Sequence, residues 1–196
     1  MKILPLAFNR LQFAQRGIAA VEFALVIMPF FMLLFGAMEF GRLMYLWNTV
    51  QEVTRNAARQ AVVTDFTNTN AIAAIKLSAV FNSTSLTSGT LPGVPQVTNA
   101  TISIIYLNAA GTVPASMPIN PGDNIAACMD ATRTDSCIKF VQVAVCAGSP
   151  CVAVSFVPMI SLFSKSGTYS TNLTGLKIPL STVRVPAENL GFQPNT

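Results

Sequence analysis

Histidine is absent from all 196 residues, which removes the commonest general base and the commonest metal ligand of proteins. A Ser-His-Asp or Cys-His site is therefore impossible within this chain, and no enzyme activity is expected. Charge is scarce too: 12 Lys and Arg with 8 Asp and Glu make up 10% of the residues, against 52% hydrophobic. That is little charge for a soluble globule. The net +4 is scattered, and no run of cations is interleaved with aromatics, so nucleic acid is not an expected partner. Asp123, Asp130 and Asp135 fall in a loop-like stretch where acids are ordinary turn residues. No cofactor, no metal and no small-molecule substrate is indicated.

What the chain does have is one long apolar run, from Ile18 to Met38, interrupted only by Glu22. Its length is close to the roughly 20 residues that cross a hydrocarbon core. A charge in such a segment costs a few kcal/mol (about 2.5–3.5 on insertion scales) and needs a reason. Lys2, Arg10 and Arg16 precede the run, and no acid comes before Glu22. By the positive-inside rule the N-terminus lies in the cytoplasm and the large C-terminal part outside, as expected of a single-pass membrane protein. A cleaved secretory signal is the competitor. The run is too long for one, and Phe35-Gly-Ala37 is a poor small-x-small site. Pro29 stands mid-span, where it frees a carbonyl and bends the helix.

Beyond Met38 the helical pattern continues. Leu43, Leu46, Val50, Val53 and Ala57 recur at spacings of three and four, while Glu52, Arg55 and Arg59 fall on the opposite side. This predicts one helix from near Gly17 to about Val63, on the order of 70 Å long at ~1.5 Å per residue. Glu39 and Arg42, three apart at the outer membrane edge, are expected to form a solvated interfacial pair, with a contact to another subunit as the less favoured reading. Tyr45 and Trp47 fit interfacial anchoring.

The stretch Gly17-Ile-Ala-Ala-Val-Glu-Phe-Ala-Leu-Val26, with Pro29, Gly36-Ala-Met-Glu-Phe-Gly-Arg42 and Thr54-Arg-Asn-Ala-Ala-Arg-Gln-Ala61, resembles the TadE family. These are pilin-like proteins of the tight-adherence, Flp-type pilus systems. The likeness is close over residues 16–62 and weak at Ser181-Thr-Val-Arg-Val-Pro-Ala-Glu188. It implies a TadE-like minor pilin or pseudopilin, a structural part of pilus assembly and its secretion machinery. It implies further that a membrane prepilin peptidase cuts between Gly17 and Ile18, leaving Glu22 as the fifth residue. Glu22 would then pair with the freed Ile18 amine of a neighbouring pilin-like subunit. Phe23 stands where the major Flp pilins carry tyrosine, which speaks for a minor component. The alternative is a single-span surface-binding protein whose outer domain recognises a ligand and whose Gly17 stays uncut.

The rest of the chain reads as an α+β domain with an antiparallel sheet, helices first and strands after. Helical spacing predicts a short helix over Asn68–Asn82, capped by Asn68 or Asn70. Residues 83–98 read as loop. Alternation predicts strands at Ile102–Tyr106, Phe140–Val145 and Val152–Phe156, and a last strand over Leu176–Val185 with Pro179 at a bulge or edge. Cys128, Cys137, Cys146 and Cys151 all lie in this part, and an even count in an oxidising compartment indicates two disulfides. Of the three pairings, Cys128–Cys137 with Cys146–Cys151 is favoured, the second closing the tip Ala147-Gly-Ser-Pro150. Each contributes roughly 2–3 kcal/mol. A zinc site is disfavoured, because the intervals lack the short pairs such sites use. The expected map is a leader at 1–17, a transmembrane segment at 18–38, its amphipathic continuation at 39–66 and the outer domain at 67–196.

Overall fold

The computed structural model describes residues 12–81, 87–159 and 176–193, with side chains from residue 17 onward. A single helix, α1 (Gln12–Ala61), runs for 50 residues, about 75 Å at ~1.5 Å per residue. Its second half is buried on one side only. Leu46, Val50, Val53, Ala57, Ala58 and Ala61 have no exposed surface, whereas Glu52, Arg55 and Arg59 face outward. The faces are those the spacing predicts.

Against this strip lies a three-stranded antiparallel sheet of β3 (Ile102–Leu107), β4 (Phe140–Val145) and β5 (Ser181–Pro186), with β4 in the middle. Ile102, Ile104 and Tyr106 stand opposite Val145, Val143 and Val141, which in turn face Ser181, Val183 and Val185. A slip of one residue would turn every one of these side chains away from α1, so the alternation fixes the register. Thr54, fully buried, ties helix to sheet: its hydroxyl lies 2.8 Å from that of Ser181. A second helix, α2 (Thr69–Ala79), packs beside α1, and Asn68 caps it by accepting from the Ala71 N–H at 3.0 Å.

Four expectations need correction. Residues 90–98 are not loop but a hairpin, β1 (Thr90–Leu91) and β2 (Val94–Thr98); residues 82–86 lie outside the described residues. Leu91, Val94 and Val97 are buried, so core packing holds a segment whose prolines disguise it. Residues 121–129 form a helix, α3 (Pro121–Met129), with Asn120 as cap and Pro121 at its first position, where its missing N–H costs nothing. Val152–Phe156 is not a ladder strand. Both edges of β4 are already taken, and the segment makes only single bridges, Ala147 with Val152 and Ser155 with Lys177. The final strand begins at Ser181, after Pro179, rather than at Leu176.

The four cysteines form the bonds Cys128–Cys137 and Cys146–Cys151, with Cα atoms 4.8 and 5.2 Å apart. Buried Asn124 braces the first loop, accepting from the Ile138 N–H at 2.8 Å. The tail returns to the end of α1, where Leu190 donates to the Val62 carbonyl and Gly191 lies against Asp65 with φ of 79°. A Cβ on Gly191 would stand 2.8 Å from the Asp65 Cα. Gly191→Ala is therefore expected to lower stability by about 1–3 kcal/mol, through backbone strain and this clash, measured by denaturant unfolding of the detergent-solubilised chain.

Tyr106 packs on Phe66, ring centroids 5.7 Å apart, and its hydroxyl finds no hydrogen-bond partner among the described residues. Burial, then the nearby Asp65 carboxylate, pushes its pKa up to about 12. The folded state thus holds the phenol neutral after the unfolded chain has begun to ionise near pH ~10. Stability present below that pH is expected to fall as pH rises from about 10 towards about 12. Tyr106→Phe should flatten this alkaline loss without harming stability at neutral pH.

Candidate functional site

The first half of α1 is the least ordinary surface of the molecule. From Ile18 to Leu34 its apolar side chains point outward on all sides, Leu33 keeping 77% of its surface, and none of the apolar window is buried. A helix apolar all round belongs inside a large core or in lipid, and among the described residues no core covers this one. By length and composition α1 is the one helix among the described residues able to cross a membrane.

Gly17, Ile18 and Glu22 lie on this exposed surface, all within the unbroken helix. A side chain at Gly17 would meet nothing within 4 Å. Glu22 is ringed on its own helix by Gly17, Ile18, Val21 and Leu25, and forms no hydrogen bond or ion pair among the described residues. Lys2 and Arg10, with the Arg16 side chain, fall outside what is described. Pro29 sits inside the helix, with Phe30, Phe31 and Phe35 in contact just beyond it.

Where the apolar run ends, the domain begins. Arg42 and Glu39 form an ion pair at 3.2 Å, each side chain keeping only 13% of its surface. They are not a solvated pair. Arg42 also donates to the Gly93 carbonyl at 3.2 Å and to the Val157 carbonyl at 3.1 Å, and its guanidinium lies 5.0 Å from the Phe156 ring centroid. The other Glu39 oxygen accepts from the Met159 N–H at 2.8 Å. Gln96 donates to the same Val157 carbonyl at 3.1 Å. The pair thus clamps the β1–β2 turn and residues 156–159 onto the helix. Phe156 is the one clamp partner whose side chain gives a sequence signal, an aromatic ring for a cation; the carbonyls of Gly93 and Val157 give none.

The acids at the far end of the domain do not converge. Asp123, in the first turn of α3, accepts from the Ile119 N–H and from Arg133, and these bonds, the backbone one foremost, hold its carboxyl below the usual range. Asp130 accepts from the Thr132 hydroxyl and N–H, with the same effect. Asp135 offers its backbone carbonyl to Asn108. No group of three His, Cys, Asp or Glu among the described residues is placed to hold a metal ion.

The helix that carries both the outward apolar surface and the clamp is also the part that a family model matches. Residues 17–59 match the family model described as TadE-like protein. The match opens at Gly17, takes in Glu22, Glu39 and Arg42, and stops two residues before α1 ends. No curated protein and no solved structure matches the chain. The match thus falls wholly within α1, and the likeness read at Ser181–Glu188 lies beyond it.

Removing the cation from the clamp would take the guanidinium from the Glu39 carboxylate and from the Gly93 and Val157 carbonyls, the last of which keeps its bond from Gln96. Arg42→Met is expected to cost about 2–3 kcal/mol, because a mostly buried charge and its hydrogen-bond partners lose their donor together. Glu39→Gln, which keeps an acceptor for Met159, should cost less. Thermal unfolding of the solubilised chain, with proteolysis at residues 157–159, measures both.

Proposed function

We propose that this chain is a TadE-like minor pilin or pseudopilin, a structural subunit of a Flp-type pilus assembly system with no catalysis of its own. The observation that carries the reading is the TadE-like match over α1, beginning at Gly17 and enclosing an outward apolar surface that bears a lone acid, Glu22. In this reading residues 18–38 cross the inner membrane, residues 1–17 form a basic cytoplasmic leader, and the domain from residue 67 lies in the periplasm or beyond.

A prepilin peptidase removes the leader between Gly17 and Ile18. Because the bond lies within a helix, the chain must unwind locally to enter a peptidase cleft. A glycine inside a helix weakens it by roughly 0.5–1 kcal/mol relative to alanine, so Gly17 marks the place where unwinding costs least. The new Ile18 amine then meets Glu22 of a neighbouring subunit, which satisfies a carboxylate that has no partner among the described residues of its own chain. The pair sets the stagger between packed helices.

The N-terminus of the protein recovered from native membranes tests this directly. Mass spectrometry of the terminal peptide should find Ile18 first. A chain that keeps its leader would overturn the pilin reading and leave a single-span, surface-binding protein in its place. In cells that make the pilus, Glu22→Ala should leave cleavage intact and abolish recovery of this subunit with other pilins.

A further inference from the structure

The Glu39–Arg42 clamp fixes the height of part of the outer domain relative to the apolar window. Counting from Met38, the last apolar residue of the run, residues 39–43 climb about 7.5 Å at ~1.5 Å each. The headgroup layer on one side of a bilayer is of the same depth, about 5–8 Å. Whatever is fastened to Glu39 and Arg42 therefore lies at that depth when residues 18–38 span the membrane. Met159 is fastened by its N–H to Glu39, and Val157 by its carbonyl to Arg42. Leu176 lies beside them, its carbonyl accepting from the Phe156 N–H at 2.9 Å.

The side chains at that level are unusual for a protein surface. Met159 keeps 75% of its surface, Val157 53% and Leu176 40%. On the helix itself Phe40 is exposed at this height, and Tyr45 and Trp47 are exposed just above it, about 10.5 and 13.5 Å beyond Met38 at ~1.5 Å per residue. Residues 155–159 and 176–177 carry no acid and one cation, the exposed Lys177. An apolar rim with aromatic rings and a lysine, continuous with a membrane-length helix, has the chemistry of a surface that meets anionic headgroups.

We propose that the segment carrying Val157 and Met159, with Leu176 beside it, rests in the lipid headgroup layer, so that the outer domain docks on the membrane its own helix crosses. The proposal rests on the anchored reading given above. The occupant is lipid rather than a second copy of the chain, because the clamp sets the patch at bilayer height before any partner arrives. Docking at a second place, besides the helix, restrains the domain from turning about the helix axis.

The native cysteines are all in disulfides, so single added cysteines in the full chain take a label cleanly. Bimane placed by Val157→Cys and by Met159→Cys is to be read in vesicles of phosphatidylcholine and phosphatidylglycerol with acyl chains brominated near the carbonyl. Leu33→Cys reports the membrane helix. Met129→Cys reports water, since Met129 is 84% exposed on α3, which lies at the far end of the domain near Phe192 and Asp65. Docking predicts that the labels at 157 and 159 lose most of their emission to the bromolipid, as at 33, while the label at 129 keeps it. Labels at 157 and 159 that behave like 129, with 33 quenched, overturn the proposal. So do labels shielded from both bromolipid and aqueous iodide, which would mean that protein covers the patch. An unquenched label at 33 overturns the anchored reading itself, and the docking with it.

Discussion

Burial of one face of α1 against the valines of β4 is the interaction on which the outer domain is built. Leu46, Val50, Val53, Ala57 and Ala61 on the helix meet a sheet whose central strand turns Val141, Val143 and Val145 towards them. Each large side chain so buried contributes about 1.5–3 kcal/mol. The remaining parts are set by this contact. β3 and β5 flank β4 in a register that keeps their apolar residues on the same face, α2 packs beside the helix, and the β1–β2 hairpin adds Leu91, Val94 and Val97 to the same core. The disulfides act locally, each closing a loop of its own rather than bridging layers.

The same helix has two solvents. Above Arg42 its apolar stripe is one-sided, because water reaches the other side; below Met38 it is apolar all round, and none of the described residues covers it. The change happens within a few residues, and Glu39 and Arg42 occupy the boundary. A charged pair there would gain little if solvated. Sheltered beneath the hairpin turn and residues 156–159, it makes hydrogen bonds to both segments and fixes the angle at which the domain leaves the helix.

Much of this was legible in the sequence because burial imposes periods. Spacings of three and four located the inner face of α1, and strict alternation located β3 and β4 with the correct residues inward. Alternation reports burial, however, and not pairing. Val154 and Phe156 are buried as their pattern suggests, yet their segment finds no free sheet edge. Short elements escaped for a different reason. Pro92 and Pro95 make the hairpin look like loop, and Pro121-Gly-Asp-Asn124 begins α3 with residues that equally begin a turn. The clamp was half legible: the spacing of Glu39 and Arg42 gave the pair. Its cover came from main-chain carbonyls 51 and 115 positions away, which no side-chain pattern can announce.

The continuity of α1 has a mechanical meaning. No loop separates the part in lipid from the part in the domain, and the clamp removes what play a helix end would have. For a chain held in the bilayer by its first half, helix and domain form a lever with its fulcrum in the membrane. Any tilt taken up below Met38, or any change of bend at Pro29, reaches the far end of the domain as a sideways swing, magnified by the length of the arm. A push or a sliding neighbour at the buried end would thus be felt tens of ångströms away with nothing in between to absorb it.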